Sequence, residues 1–310
     1  IGDMQKWTPN VAGIIEHARE IHPKTEVISR LVSGEIHRTN YEEVCIRSRK
    51  LGSALEKDGV KKGDVVATLA LNTYRHLEMY YGISGMGAIT HTLNFRLHPE
   101  QAIYIINHAE DKIIFVELPF VPMLEGLQDK LSTVEKYIVL CEQSEMPETS
   151  LKNVISYEEY IKDGDENYDW PELDDDAACA LCYTSGTTGN PKGVLYSHKS
   201  NVIHAQAALT AMTIKPDDSI LMVVPLFHVL AWGIPYFGPM NGLKLVMPGM
   251  QMEGEPLYEL IDKEDITLAF GVPTIWMGLL AYCRDNNKIL SSVKNTIIGG
   301  SALSLATLQE

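Results

Sequence analysis

The chain has 310 residues, and 26 Lys and Arg against 41 Asp and Glu give it a formal net charge of −15. This charge argues against a nucleic-acid-binding surface, which needs a positive potential to displace phosphate counterions. The hydrophobic share of 45% and the charged share of 22% are typical of globular proteins, which excludes a disordered or fibrous chain.

Apolar runs alternate with amphipathic segments along the chain. In chain order the predicted strands are 65–71, 113–117, 137–140, 177–183, 220–224, 243–247, 267–270 and 296–298. The predicted helices are 41–57, 75–86, 99–108, 200–212, 256–264 and 273–285. Strands rich in Val, Ile and Leu and separated by helices indicate mostly parallel sheets covered on both faces. The predicted fold class is therefore α/β.

Local signals support these elements. Thr39 or Asn40 can cap the helix that follows, and Gly59 stands where a left-handed residue would end it. The clearest change of composition is an acidic stretch that also contains glycine and proline. It predicts a first α/β subdomain at 1–165, an acidic linker at 166–176 and a second α/β subdomain at 177–310.

Residues 219–243 carry no Asp, Glu, Lys or Arg and are numerous enough to span a bilayer. The prolines and glycines of this stretch, together with His228, favour instead a buried strand, a turn and a buried helix. The cysteines are odd in number and no secretory signal is visible, which predicts reduced thiols and a cytoplasmic protein, with peripheral membrane association left open. Cys179 and Cys182 form a C-x-x-C pattern, but without a second pair they indicate buried free thiols rather than a metal site.

The sharpest motif is Tyr-Thr-Ser-Gly-Thr-Thr-Gly-Asn-Pro-Lys-Gly-Val at 183–194. Its glycines permit backbone conformations in which amide N–H groups point into one concavity, and its hydroxyls and Lys192 add donors and a positive charge. Such a loop suits phosphate. It is not a Walker A loop, because Pro191 stands where the second glycine belongs and Gly193 follows the lysine. A P-loop kinase or NTPase is therefore disfavoured.

The motif at 183–194 is similar to the phosphate-binding signature of adenylate-forming enzymes, the superfamily of acyl-CoA synthetases, peptide-synthetase adenylation domains and firefly luciferase. Segments 225–232, 271–274 and 298–302 resemble those of medium- and long-chain fatty acyl-CoA synthetases, in the same order. The resemblance implies the N-terminal large domain of such an enzyme, with two stacked α/β subdomains of mostly parallel sheets flanked by helices.

The resemblance implies an acid–thiol ligase that works in two steps. A fatty, non-amino carboxylic acid attacks the α-phosphate of ATP to give an acyl-adenylate and pyrophosphate, and coenzyme A then displaces AMP to give acyl-CoA. The implied cofactors are ATP, Mg²⁺ and coenzyme A, and no nucleic acid or transmembrane segment is expected. The resemblance also suggests a homodimer through the N-terminal region. The apolar stripe of 11–21 serves either that contact or the chain's own core, and the core is favoured.

Carried over by position, the resemblance assigns phosphate and adenine contacts. Thr184 becomes the residue associated with Mg²⁺. The β- and γ-phosphates are bound by Ser185, Gly186, Thr187, Thr188, Gly189 and Lys192. Gly300 and Ser301 contact the adenine side.

The resemblance also assigns the reacting groups. His228 is the catalytic candidate and lies with Val229 against the nucleotide and the reacting carboxylate, although a lone histidine in an apolar stretch is more often a core residue. Trp232 is either core filling or a gate between the acyl tunnel and the ATP site. Gly271 either leaves room for an acyl chain or lets a strand and a helix meet.

The substrate stays open within one class. Residues 225–228 offer no carboxylate to hold an ammonium group, so an amino acid is disfavoured. A fatty acid is favoured, and a short acid such as methylmercaptopropionate, an acyl-AMP ligase and a non-catalytic acyl- or nucleotide-binding module are the alternatives. The family's Mg²⁺-binding Glu, ribose-binding Asp and C-terminal lid domain with its catalytic Lys are absent from residues 1–310, so these residues alone are expected to be inactive.

Overall fold

The computed structural model describes residues 8–184, 190–302, 304 and 305. The helices are α1 (Val11–Ile21), α2 (Tyr41–Lys57), α3 (Tyr74–Gly85), α4 (Pro99–Ala109), α5 (Val121–Leu127), α6 (Tyr157–Ile161), α7 (His198–Met212), α8 (Ile234–Met240), α9 (Gly254–Lys263) and α10 (Pro273–Asp285). The strands are β1 (Glu26–Arg30), β2 (Ile36–Asn40), β3 (Val65–Leu69), β4 (Ile89–Thr92), β5 (Ile113–Val116), β6 (Lys136–Val139), β7 (Val154–Ser156), β8 (Ala178–Thr184), β9 (Lys192–Ser197), β10 (Ser219–Met222), β11 (Lys244–Met247), β12 (Leu268–Gly271) and β13 (Asn295–Ile298).

Two sheets form the frame of the molecule. The seven-stranded sheet has the order β7-β6-β5-β3-β4-β8-β9, in which β9 runs antiparallel to β8. The six-stranded sheet has the order β13-β12-β10-β11-β1-β2, in which β2 runs antiparallel to β1. The other pairings between described strands are parallel. The predicted α/β class with mostly parallel sheets flanked by helices is confirmed.

The sheets do not divide the chain at the acidic linker of 166–176. β8 and β9 follow that linker but join the seven-stranded sheet of the preceding strands. β1 and β2 precede the linker but join the six-stranded sheet. The division into 1–165 and 177–310 therefore does not follow the sheets, because the residue pattern of a strand does not specify the neighbour with which it pairs.

α3 lies between the two sheets, and all of its residues are buried. It contacts β1 of the six-stranded sheet and β3, β4 and β8 of the seven-stranded sheet. A buried charge on such a helix needs partners. Glu78 has them, because it accepts hydrogen bonds from Arg47 Nε at 2.7 Å and from Tyr157 Oη at 2.8 Å. α3 therefore ties the two sheets together without an unpaired charge at Glu78.

The uncharged stretch of 219–243 forms the strand, turn and helix that its prolines and glycines predict. It contains β10, a short turn at 229–233 and α8, and residues 234–239 of α8 are buried. Within the described residues no helix is both long enough and apolar enough to cross a bilayer.

Local signals at the chain's first helices are also confirmed. Asn40 is the N-cap of α2, and its Oδ1 accepts a hydrogen bond of 3.0 Å from the Glu43 amide. Gly59 has a φ of 85°, the left-handed conformation expected beyond the helix end. The apolar stripe of 11–21 packs in the chain's own core, which is the favoured alternative for this helix.

Glu117 is a buried carboxyl directly after β5, and its Oε2 accepts a hydrogen bond of 3.3 Å from the Leu71 amide. Burial raises the pKa of Glu117 from its usual 4.5 to about 7, against the opposite effects of the Leu71 amide and Arg75. A carboxyl whose pKa is raised on folding contributes stability that is full below its unfolded pKa and is lost as the pH rises through its folded pKa.

Glu117→Gln is therefore expected to be nearly neutral at about pH 5 and to raise the free energy of unfolding by about 1–3 kcal/mol at about pH 8. Glutamine resembles the protonated carboxyl and keeps an acceptor for the Leu71 amide. Urea titrations of both proteins at the two pH values measure the difference. A difference that does not change with pH contradicts the expectation.

Candidate active site

The glycine-rich motif joins two strands of the seven-stranded sheet. β8 ends at Thr184 and β9 begins at Lys192, and these residues are paired in antiparallel register. Thr184 Oγ1 donates a hydrogen bond of 3.5 Å to the Lys192 carbonyl oxygen. Both residues are exposed, so their side chains are free to meet a ligand. The predicted phosphate contacts that lie outside the described residues are Ser185, Gly186, Thr187, Thr188 and Gly189.

A second segment, 225–232, connects β10 to α8 and lies against the motif. A cavity of about 290 Å³ separates them. Its wall includes Tyr183, Thr184, Pro191, Phe227, His228 and Val229. The structure therefore brings Thr184, His228 and Val229 to one cavity. Lys192 lies next to it but outside the wall.

The wall of this cavity combines apolar side chains with a few polar ones. Among its described residues none is Asp, Glu, Lys or Arg, so no carboxylate there can pair with an ammonium group. Burial raises the pKa of Tyr183 to about 12. Its hydroxyl, which lies 2.6 Å from His108 Nδ1, therefore stays protonated near neutral pH.

Side chains from other elements bind the backbone of the 225–232 segment and of the residues just before it. Asn72 follows β3, and its Nδ2 donates to the carbonyl oxygens of Met222 at 2.7 Å and Val224 at 2.8 Å. Its Oδ1 accepts from the Leu226 amide at 2.8 Å, and Tyr80 Oη donates to the Leu226 carbonyl oxygen. Asn72 is not among the site residues predicted from the sequence. Ligand sites often form just beyond the carboxyl ends of parallel strands, and the position of Asn72 after β3 is therefore a signal that could have identified it.

The segment ends in a left-handed turn. Four successive residues with a Cβ have φ between 45° and 57°, namely Val229, Leu230, Ala231 and Trp232. Left-handed backbone costs roughly 1–2 kcal/mol for each such residue. A run of them persists only where the surroundings fix it, and here Leu230 and Ala231 are buried in the core. The turn sets the direction of His228 at its start and of Trp232 at its end.

Trp232 connects this turn to the end of β13. Its ring packs on Gly299, where an added Cβ would lie 2.9 Å from the ring. Gly300 follows with a φ of 84°, and Gly300 and Ser301 are exposed. These two residues lie outside the cavity wall. The described contact between the 298–302 segment and the 225–232 segment is that of Gly299 with Trp232, and it does not bring Gly300 or Ser301 to the cavity wall.

Gly271 ends β12, and neighbours from its own chain fill the space of a side chain. A Cβ there would lie 3.1 Å from Val223 Cγ2 and 3.3 Å from Trp276 Nε1. Because Trp276 belongs to α10, this geometry supports the close meeting of a strand and a helix. Room for an acyl chain is the less supported alternative at this position.

Gly271→Ala is expected to lower the free energy of unfolding by about 1–3 kcal/mol, since an added methyl group overpacks a filled site. Gly278 of α10 is the matched control, because a Cβ there meets nothing within 4 Å. Gly278→Ala is expected to raise that free energy by roughly 0.5–1 kcal/mol, the usual gain in a helix. Urea denaturation compares the two, and equal effects contradict the packing explanation.

Curated relatives match nearly the whole chain. The 3-methylmercaptopropionyl-CoA ligase of Ruegeria pomeroyi is 44% identical over 304 residues, which cover 97% of this chain and 56% of that protein. The medium-chain-fatty-acid–CoA ligase of Ectopseudomonas oleovorans is 43% identical over 312 residues, which cover 100% of this chain and 57% of that protein. The long-chain-fatty-acid–CoA ligase of Thermus thermophilus is 41% identical, with 94% and 53% covered. The chain therefore spans about half the length of these relatives.

Solved structures share the fold. The anthranilate CoA ligase AuaEII in complex with anthranoyl-AMP superposes with a TM-score of 0.88 at 23% identity, over 98% of this chain and 57% of that chain. A long-chain-fatty-acid-CoA ligase from Archaeoglobus fulgidus gives a TM-score of 0.86 at 23% identity, over 100% and 61%. The family model described as AMP-binding enzyme matches residues 15–310. On this match, the chain belongs to the AMP-binding enzyme family.

Proposed function

We propose that the protein containing this chain activates a non-amino carboxylic acid with ATP and transfers the acyl group to coenzyme A. The observation that carries the proposal is the shared cavity, which Thr184 of the motif and His228 of the 225–232 segment both face. The wall offers no carboxylate for an amino group among its described residues. Relatives named as CoA ligases at 41–44% identity support the same reaction class.

In the first step a carboxylate oxygen attacks the α-phosphorus of ATP. The new oxygen–phosphorus bond forms as the bond from the α-phosphorus to the bridging oxygen breaks, and that electron pair leaves with pyrophosphate. Prearranged donors stabilise charge that grows on a leaving group. We assign this role to Lys192 and to the groups of Ser185, Gly186, Thr187, Thr188 and Gly189. We also assign His228 and Val229 to contacts with the nucleotide and the attacking carboxylate.

Mg²⁺ bound with ATP would neutralise phosphate charge and orient the phosphates. Thr184 fits this ion, because its hydroxyl is exposed at the cavity and Mg²⁺ takes few protein oxygens beside phosphate and water. We assign the adenine side to Gly300 and Ser301. Trp232, whose ring packs beside them on Gly299, is assigned as the gate between the acyl chain and the nucleotide.

In the second step the thiolate sulfur of coenzyme A attacks the carbonyl carbon of the acyl-adenylate. The carbon–oxygen bond to AMP breaks, AMP leaves with the electron pair, and a thioester remains. A fatty acid is the first candidate for the acid. A short thioether acid is the second, because a relative named as a 3-methylmercaptopropionyl-CoA ligase is 44% identical.

The test measures AMP and thioester formation by the full gene product with ATP, Mg²⁺ and coenzyme A. Octanoate, palmitate, 3-methylmercaptopropionate and phenylalanine are supplied in turn. AMP and a thioester are expected with at least one of the first three acids and not with phenylalanine. AMP release that does not respond to coenzyme A indicates an acyl-AMP ligase, and nucleotide binding without turnover indicates a binding module. ADP as the product refutes the proposal.

A further inference from the structure

The two cysteines of the C-x-x-C pattern on β8 have different surroundings. Both are buried free thiols, as the sequence predicts. Cys179 Sγ accepts a hydrogen bond of 3.1 Å from Asn201 Nδ2 on α7. Cys182 is 5% exposed, forms part of the cavity wall, and its Sγ lies 3.3 Å from Thr92 Oγ1. Both thiols are buried on the same strand, but only Cys182 reaches the candidate site. Cys179 can therefore serve as the control for Cys182.

Cys182 lies in the same cavity wall as Val229, the first residue of the left-handed turn of 229–233. Burial raises the pKa of this thiol, whereas hydrogen bonds with Thr92 and with the backbone amides of Leu230 and Val229 act in the opposite direction. Successive amides of a turn can converge on one electron-rich atom. Here Cys182 shares the cavity wall with Val229 and belongs to the same buried cluster as Leu230 and Ala231, so its sulfur lies at the start of the turn.

A histidine holds the far end of the turn. His204 on α7 donates from Nε2 to the Trp232 carbonyl oxygen at 3.2 Å. Its ring also packs on Gly233, where a Cβ would lie 2.5 Å from Nε2 and from Cδ2. Gly233 has a φ of 83°, so both the backbone conformation and the available space require glycine. The turn is therefore fixed from β8 at its start and from α7 at its end.

We propose that Cys182 and His204 are positioning residues that clamp the left-handed turn, so that His228 stays at the cavity and Trp232 stays on Gly299. The proposal rests on the proposed function for the part that His228 plays. A strained run of left-handed residues relaxes toward ordinary backbone when the contacts that fix it are removed. Such relaxation would displace both side chains while leaving the phosphate motif unchanged.

Hydrogen–deuterium exchange in the full gene product without substrates tests the clamp. Cys182→Ala and His204→Ala are each expected to speed amide exchange at 229–233 by about tenfold, because local opening governs exchange. Cys182→Ser keeps an acceptor and is expected to restore most of the protection. Cys179→Ala removes an equally buried sulfur and is expected to leave exchange in the turn unchanged. Equal exchange there in Cys182→Ala and Cys179→Ala overturns the proposal.

Acid-dependent AMP formation is the second readout. Cys182→Ala and His204→Ala are expected to lower kcat by about tenfold and to change KM for ATP by less than about threefold, since they displace His228 rather than the phosphate motif. If Cys182→Ala does not fold, His204→Ala carries the test, because His204 is exposed. Unchanged exchange in His204→Ala then overturns the clamp. A wild-type protein that forms no AMP refutes the proposed function, and the exchange comparison still decides the clamp because it needs no substrate.

Discussion

Lys192→Ala is expected to lower kcat/KM for ATP by about 10²-fold or more, because it removes the cation that we assign to the leaving phosphates. The chain carries a net charge of −15, so a polyanion can bind only where positive groups are concentrated locally. Lys192 is exposed at the first position of β9 and makes no ion pair with any described residue. Its removal is therefore expected to change the free energy of unfolding by less than about 0.5 kcal/mol.

Lys199→Ala is the matched control for this prediction. Lys199 lies after the same strand and pairs with Asp175 at 3.1 Å and Asp176 at 3.6 Å, away from the cavity wall. The Lys199→Ala substitution removes the same charge as Lys192→Ala but is expected to leave kcat/KM for ATP unchanged. Steady-state AMP formation at saturating acid and coenzyme A compares the variants. A Lys192→Ala protein with near wild-type kcat/KM, or one no worse than Lys199→Ala, contradicts the assignment of Lys192.

Asn72→Ala is expected to lower the free energy of unfolding by about 3 kcal/mol or more, because three buried backbone groups lose their partner at roughly 1–3 kcal/mol each. Those groups are the carbonyl oxygens of Met222 and Val224 and the amide of Leu226. The same bonds fix the chain that leads into His228. Protein that remains folded is therefore expected to show a lower kcat as well.

Two further variants separate the hydrogen bonds of Asn72 from its volume. Asn72→Asp keeps an acceptor for the Leu226 amide but turns a carboxylate toward two carbonyl oxygens, so it is expected to destabilise the fold nearly as much. Asn241→Ala removes an amide that makes one hydrogen bond of 3.5 Å to the Ile214 carbonyl oxygen, and its cost is expected to stay below about 1 kcal/mol. Urea denaturation measures all three. If Asn72→Ala and Asn241→Ala lower the free energy of unfolding by similar amounts, Asn72 does not hold the 225–232 segment.

The sequence predicts elements best where local signals and burial agree. The helices at 41–57 and 273–285 are predicted with both ends correct, because a capping asparagine begins the first and a proline begins the second. The strand at 89–92 is missed, because threonine and histidine interrupt its apolar pattern although all four residues are buried. The strand at 192–197 is missed because it is an exposed edge strand that begins inside the motif.

The residues of the candidate site also differ in how far the sequence predicts them. The motif and His228 carry enough sequence information to be assigned by resemblance. The residues that hold the site do not, since they bind backbone atoms far away in the chain. Asn72 and Met222 are 150 positions apart, and His204 and Trp232 are 28 positions apart. Any residue can supply a carbonyl oxygen, so no sequence pattern marks these contacts, and only the fold shows them.

In the proposed first step the carboxylate itself attacks the α-phosphorus of ATP, and the transfer of a heavy oxygen from the acid to AMP tests this step. The full gene product is given an acid whose carboxylate oxygens are the heavy isotope, together with ATP, Mg²⁺ and coenzyme A, and AMP is analysed by mass spectrometry. One heavy oxygen is expected in AMP and one in the thioester. AMP that forms without label, or label that appears in inorganic phosphate beside ADP, would rule out this attack.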